Sequence, residues 1–201
     1  MTTWASAMVS RKTAMRRRRT LAIAAAIVTF STIGFVSCDT ESPADIPTAK
    51  EEFIAYAAEA AQDSQDEYGV PPSVAMAQAI LESDWGSSKL TREGFAFFGI
   101  KCNGQSPHAS GCTELPTTEC DDAGCQKVLA SFRTYDSPED SFADYGYLLS
   151  STSRYKAAFD HTGDPKLFAV AVANAGYATD PEYSSKVIGL MDEYNLYQYD
   201  E

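Results

Sequence analysis

The chain has 201 residues, 16 Lys+Arg against 28 Asp+Glu, and a composition that is 44% hydrophobic and 11% aromatic. That length suits one domain plus an appendage, and that apolar content excludes disorder throughout. Six basic groups (Arg11, Lys12 and Arg16 to Arg19) and no acid precede residue 38, which leaves 10 basic against 28 acidic groups beyond it. A body so acidic repels a phosphate backbone, so nucleic acid is not an expected partner. Two histidines, His108 and His161, are too few for most metal sites, and neither a metal nor a cofactor is expected.

In chain order, Arg16 to Arg19 precede an uncharged apolar run from Leu21 to Ser37. Basic residues followed by such a run read as a signal peptide or a membrane anchor over residues 1–37, with the basic end held in the cytoplasm. Phe35-Val36-Ser37-Cys38 resembles the lipobox of bacterial lipoproteins, with Phe35 where Leu is usual. That resemblance implies that Cys38 is lipidated and becomes the new N-terminus. Lipoprotein, uncleaved anchor and plain secretion all place the body outside the cytoplasm, and the first two place it at the membrane. Asp39 to Thr48, with two prolines and a single Ile, reads as a tether, giving a tether segment over 38–49.

From residue 50 the pattern becomes helical. Phe53, Ile54, Ala57, Ala58 and Ala61 fall on one stripe, with Gly69 as the stop. Pro71-Pro72-Ser73 signals a second start, and Val74, Ala77, Ile80, Leu81 and Trp85 follow at spacings of three and four before Gly86. From about Gly99 to Tyr135 the chain turns rich in Gly, Thr, Ser and Cys, and Val128, Ala130 and Phe132 alternate, so a small β-hairpin region is expected. Helical signals return at Ser137 to Leu149, Asp164 to Ala175 and Pro181 to Tyr194. This order predicts an α+β domain over 50–201, a helical body with a small inserted β-hairpin lobe. The groove between two such lobes is a natural place for a polymeric substrate.

Of the five cysteines, Cys38 stands alone while Cys102, Cys112, Cys120 and Cys125 fall within 24 positions. Acylation of Cys38 leaves an even set for disulfides in an exported protein. Four cysteines allow three connectivities. Cys102–Cys112 with Cys120–Cys125 is favoured, because the second pair flanks the turn sequence Asp121-Asp122-Ala123-Gly124. A zinc site is the rival, although no CxxC pair is present.

One carboxylate stands out. Glu82 ends a largely apolar helix with no charged residue before it back to Glu67. Desolvation by such neighbours raises a carboxyl pKa and lets the group serve as a general acid near neutral pH, the alternative being a solvated helix-end glutamate.

Leu81-Glu82-Ser83-Asp84-Trp85-Gly86 and Phe97-Phe98-Gly99-Ile100-Lys101 resemble the signature of bacterial endo-β-N-acetylglucosaminidase domains of the flagellar-rod muramidase and autolysin type. Further blocks match in order: Thr117-Thr118-Glu119, Ala130 to Tyr135, Ser141 to Tyr145, Arg154-Tyr155 and Ala175 to Tyr183. The resemblance covers residues 50 to 197. It implies a lysozyme-like fold and cleavage of the β-1,4 bond after N-acetylglucosamine in peptidoglycan. Residue by residue, it implies that Glu82 is the general acid, that Glu119 activates water, and that Tyr177 orients or stabilises the reacting sugar. Glu114 competes with Glu119 for the second acid, and the substrate's 2-acetamido group is an alternative to either. Ala96 and Cys120 depart from the family's usual Asn and aromatic. Trp85 and Tyr145 are weaker candidates for sugar contact. The competing functions are a lytic transglycosylase and a non-catalytic wall-binding module.

Overall fold

The computed structural model describes residues 41–121 and 124–200, the side chains at 118–121 and 125 excepted. The leader and Cys38 lie outside the described residues. Among those described, no helix is long and apolar enough to cross a membrane.

Helix α1 (Lys50–Tyr68) buries the predicted stripe, and Gly69 ends it at φ 75°, its N–H returning to the Gln65 carbonyl. Helix α2 (Pro72–Ser83) is buried on every side from Pro72 to Ile80, which makes it the central element, since an α-helix apolar all round can only sit inside. Around it pack α1, α5 (Pro165–Asn174), α6 (Tyr183–Glu193) and a closing 3-10 turn, Leu196–Tyr199. Helix α4 (Pro138–Ser151) lies against α1. These elements match the predicted helices within a few residues. A short helix, α3 (Lys89–Gly94), and a 3-10 segment, Ser153–His161, carry too few periodic residues to be seen from sequence.

The turn after α2 is unusual. Asp84, Trp85 and Gly86 all adopt positive φ, at 50°, 57° and 71°. Left-handed backbone costs a non-glycine residue about 1–2 kcal/mol, and Trp85 offsets this by packing. Its ring meets Phe53 edge-on at 6.0 Å and Tyr194 at 4.9 Å, with the Lys50 ammonium 4.9 Å from its centroid. At Gly86 a Cβ would stand 2.7 Å from Ile46 Cγ2 and 2.8 Å from Phe53. Gly86→Ala should therefore cost about 2–4 kcal/mol, combining left-handed strain with overpacking, and read as a lower urea midpoint at unchanged m-value.

Strands β1 (Gly111–Asp121) and β2 (Gly124–Thr134) form the predicted hairpin, antiparallel, with Cys120 opposite Cys125. The strands pair chiefly with each other, so the hairpin is an arm fixed at its base. There Lys101 bridges Phe132, Cys102 N–H donates to the Ser131 carbonyl at 2.8 Å and Arg133 N–H to the Ile100 carbonyl at 2.9 Å. The predicted Cys102–Cys112 disulfide is present and closes the loop beside this base. The expected Cys120–Cys125 bridge falls on side chains outside the described residues.

The base is locked to α4 by an ion pair. Arg133 and Asp144 are both buried, and Arg133 Nη1 reaches the two carboxylate oxygens at 3.0 and 2.9 Å. Tyr135 donates to Asp144 at 2.7 Å, and Ser106 adds another hydrogen bond from the 102–110 loop. The expected tether over 38–49 is tied down across its second half. Ile46 is buried in the core, and Arg92 Nη1 donates to the carbonyls of Ala44 and Ile46 at 3.2 and 2.6 Å. Tethers are read from composition, and a single apolar anchor gives no periodicity that would reveal packing.

Candidate active site

A cleft of about 380 Å³ opens between the end of α2, the segment that leads into the hairpin base, and the 3-10 segment after α4. Glu82 lines it from α2; Phe98, Gly99, Ile100, Lys101 and Asn103 from the hairpin side; Leu148, Arg154 and Tyr155 from α4 and beyond; Tyr177 and Ala178 from the loop before α6. Backbone pairing with β2 holds the Ile100–Cys102 wall, which is how the β lobe shapes the cleft that Glu82 enters from α2.

Glu82 is open to solvent through the cleft mouth, while the protein around it desolvates the carboxylate and raises its pKa; a hydrogen bond from Tyr183 works in the opposite direction. That bond, Tyr183 Oη to Glu82 Oε1 at 2.8 Å, ends a relay. Buried Tyr145 donates to Gln78 Oε1, and Gln78 Nε2 donates to Tyr183 Oη at 2.6 Å. The direction is forced. An amide NH₂ can only donate, so Tyr183's own proton goes to Glu82. Burial, and then the charge of Glu82, pushes the Tyr183 phenol upward, so it remains a donor. One carboxylate oxygen is thus held, and Oε2 accepts no hydrogen bond from the described residues.

Tyr177 lies beside Glu82 in the cleft wall, stacked on Tyr183 at 5.6 Å and 28°, with Tyr145 edge-on at 6.2 Å and Tyr155 tilted at 6.3 Å. The structure therefore brings Glu82 and Tyr177 together. It does not bring the two weaker candidates to the cleft surface. Tyr145 is fully buried, stacked on Phe98 at 4.2 Å, and contributes through the relay. Trp85 is occupied by Phe53, Tyr194 and Lys50 and does not line the cleft. Helical spacing could not show this, because three left-handed residues turn the chain away after Glu82.

Glu114 is exposed on β1 opposite Ser131. Glu119 pairs with Gln126 in the backbone register, six residues along β2 from the Phe132 bridge, a span of at most about 20 Å. Its side chain lies outside the described residues. Among those described, Glu82 is the sole carboxylate lining the cleft. Sequence reasoning missed Tyr183 and Gln78 as supports and Arg154 as a lining residue. The only signals were their places inside or beside the family-like blocks.

The family model described as mannosyl-glycoprotein endo-beta-N-acetylglucosaminidase matches residues 58–196, more than half of the chain. The chain belongs to this glucosaminidase family. Its relatives include the exo-glucosaminidase LytG of Bacillus subtilis, 36% identical over 146 residues covering 70% of this chain and 50% of that protein. The peptidoglycan hydrolase FlgJ of Pseudomonas aeruginosa is 35% identical over 181 residues, covering 84% and 45% respectively. The chain spans about half the length of these curated relatives. Among solved structures, the catalytic domain of the autolysin Auto of Listeria monocytogenes superposes with a TM-score of 0.67 at 34% identity, covering 77% of this chain and 89% of that one. The lysozyme-like α+β fold of the glucosaminidase family is therefore the fold of this chain.

Within this glucosaminidase fold the Tyr183 hydroxyl has a testable role. Tyr183→Phe removes the bond that lowers Glu82's pKa, so the alkaline limb of the pH–rate profile should move to higher pH. Turnover should also fall about 10- to 100-fold as the acid loses its fixed orientation. A drop in rate with the limb unmoved would assign Tyr183 to packing alone.

Proposed function

We propose that the chain is a peptidoglycan hydrolase that cleaves the β-1,4 bond after N-acetylglucosamine, with Glu82 as general acid. One observation carries this reading: a desolvated carboxyl, gripped at one oxygen by a tyrosine relay, stands in an open cleft beside Tyr177. Glu82 gives its proton to the glycosidic oxygen as the C1–O bond breaks, and positive charge develops at C1. Water then attacks C1, losing a proton to Glu119 or Glu114 if the hairpin supplies the base. If it does not, the acetamido oxygen attacks first and water opens the resulting ring. Tyr177 orients the sugar in either route. Glu119→Gln should cut turnover strongly in the first route and leave it unchanged in the second.

The proposal includes location. The basic run, the apolar run and the lipobox-like end at Cys38 support export and attachment to the membrane by lipid or anchor, facing the wall polymer. The relatives' names, exo-glucosaminidase and peptidoglycan hydrolase, agree with a wall substrate.

Mass analysis of muropeptides released by the purified protein is the test. N-acetylglucosamine at the reducing end supports the proposal. Reducing N-acetylmuramic acid would mean a muramidase, and the anhydro form a transglycosylase. No release at all would leave a binding module.

A further inference from the structure

Cations are scarce beyond residue 37, at 10 against 28 acids, and the fold uses most of those it describes. Arg133, Lys89, Lys166 and Lys186 are held in ion pairs, and Arg92 binds backbone carbonyls. Arg154 differs. It lines the cleft, exposed, with its guanidinium 4.5 Å from the centroid of the buried Tyr155 ring and Nη2 donating to the Tyr155 hydroxyl. No carboxylate pairs with it among the described residues. It does not serve the acid either, because Glu82's shift comes from burial and from Tyr183.

The geometry therefore has a planar cation laid on an aromatic face with one N–H engaged. The remaining edge donors are preoriented and have no partner among the described residues, the arrangement a guanidinium needs to grip a carboxylate through two parallel hydrogen bonds. The surrounding acidic body repels anions, so a positive edge inside the cleft, where Lys101 also lines the wall, concentrates any anionic selectivity there.

We propose that Arg154 is a specificity residue that binds a carboxylate on the glycan, so that the cleft selects muramyl residues bearing a free acid over uncharged sugars. This rests on the cleft being a glycan site. Two sources supply that chemistry: the lactyl carboxylate of peptide-free N-acetylmuramic acid, and the carboxylates of an attached stem peptide.

The test is calorimetric titration of the full chain carrying Glu82→Gln, which prevents turnover. Four probes are used: a peptide-free GlcNAc–MurNAc tetrasaccharide as free acid and as carboxamide, and a peptide-bearing one with free and with amidated carboxyls. The acid of at least one pair should bind about 5- to 10-fold more tightly than its amide, and the pair that differs identifies the source. Adding Arg154→Gln should bring the acid down to the amide's affinity, and Arg154→Lys should restore part of the preference. Equal affinities within both pairs, a preference that survives Arg154→Gln, or no binding of any probe would overturn the proposal. Cleavage is not read in this experiment. An acid preference without hydrolytic activity would keep the role of Arg154 and remove the hydrolase reading.

Discussion

Replacing Glu82 by Gln is expected to lower glycan cleavage by about 10²- to 10⁴-fold, the usual contribution of a positioned proton donor. Gln has the same shape and still accepts the Tyr183 hydrogen bond at Oε1, so the loss is chemical. The stability measurement separates it from damage to the fold. Burial raises the folded-state pKa of Glu82 above its unfolded value, so the native state binds the proton more tightly. Wild-type stability is then highest below the unfolded pKa and declines as pH rises through the folded one, where a desolvated group must ionise. Gln never ionises. The melting temperature of the variant should match wild type at low pH and exceed it above the folded pKa. Activity of the wild type should fall over that same rise in pH, because the acid loses its proton. Near-wild-type turnover in Glu82→Gln would remove Glu82 from its role.

Asp144→Ala is expected to be the most damaging single change to the fold. It leaves the Arg133 guanidinium buried without a counter-charge, when Arg133 Nε already lacks a partner among the described residues, and it strips acceptors from Tyr135 and Ser106. Breaking a buried pair from one side costs about 3–5 kcal/mol, a large part of a total of roughly 5–15 kcal/mol. Urea unfolding should show it as a sharply lower midpoint. Replacing both partners, Arg133→Met with Asp144→Leu, should recover much of that loss, because no unpaired charge remains. If the single variant unfolds at the wild-type midpoint, the ion pair is not what seats the hairpin. The site shares the consequence: Arg133 N–H holds the Ile100 carbonyl of the cleft wall.

Much of this was legible in the residues. The stripe of α1, the Pro-started α2, the alternation of β2 and the Ser137-Pro138 entry to α4 all reappear as built elements, because periodicity and caps act over a few residues. The blocks at 130–135 and 141–145 were visible as resemblance, but their physical reason is a contact between them, Arg133 with Asp144. Trp85 shows the limit of local reading. This aromatic three residues from Glu82 was a weaker candidate for sugar contact beside the competing reading of core packing, and its ring holds a left-handed turn in place.

By itself, the sequence determined the family and the helix–hairpin–helix order and singled out the carboxyl of Glu82, because each rests on residues near one another in the chain. Only the tertiary structure decided what controls that acid. Tyr183 approaches Glu82 across 101 residues and Gln78 across 105, and Arg154 reaches the cleft from beyond α4. Desolvation and hydrogen-bond direction depend on which side chains meet in space, and no spacing along the chain encodes that.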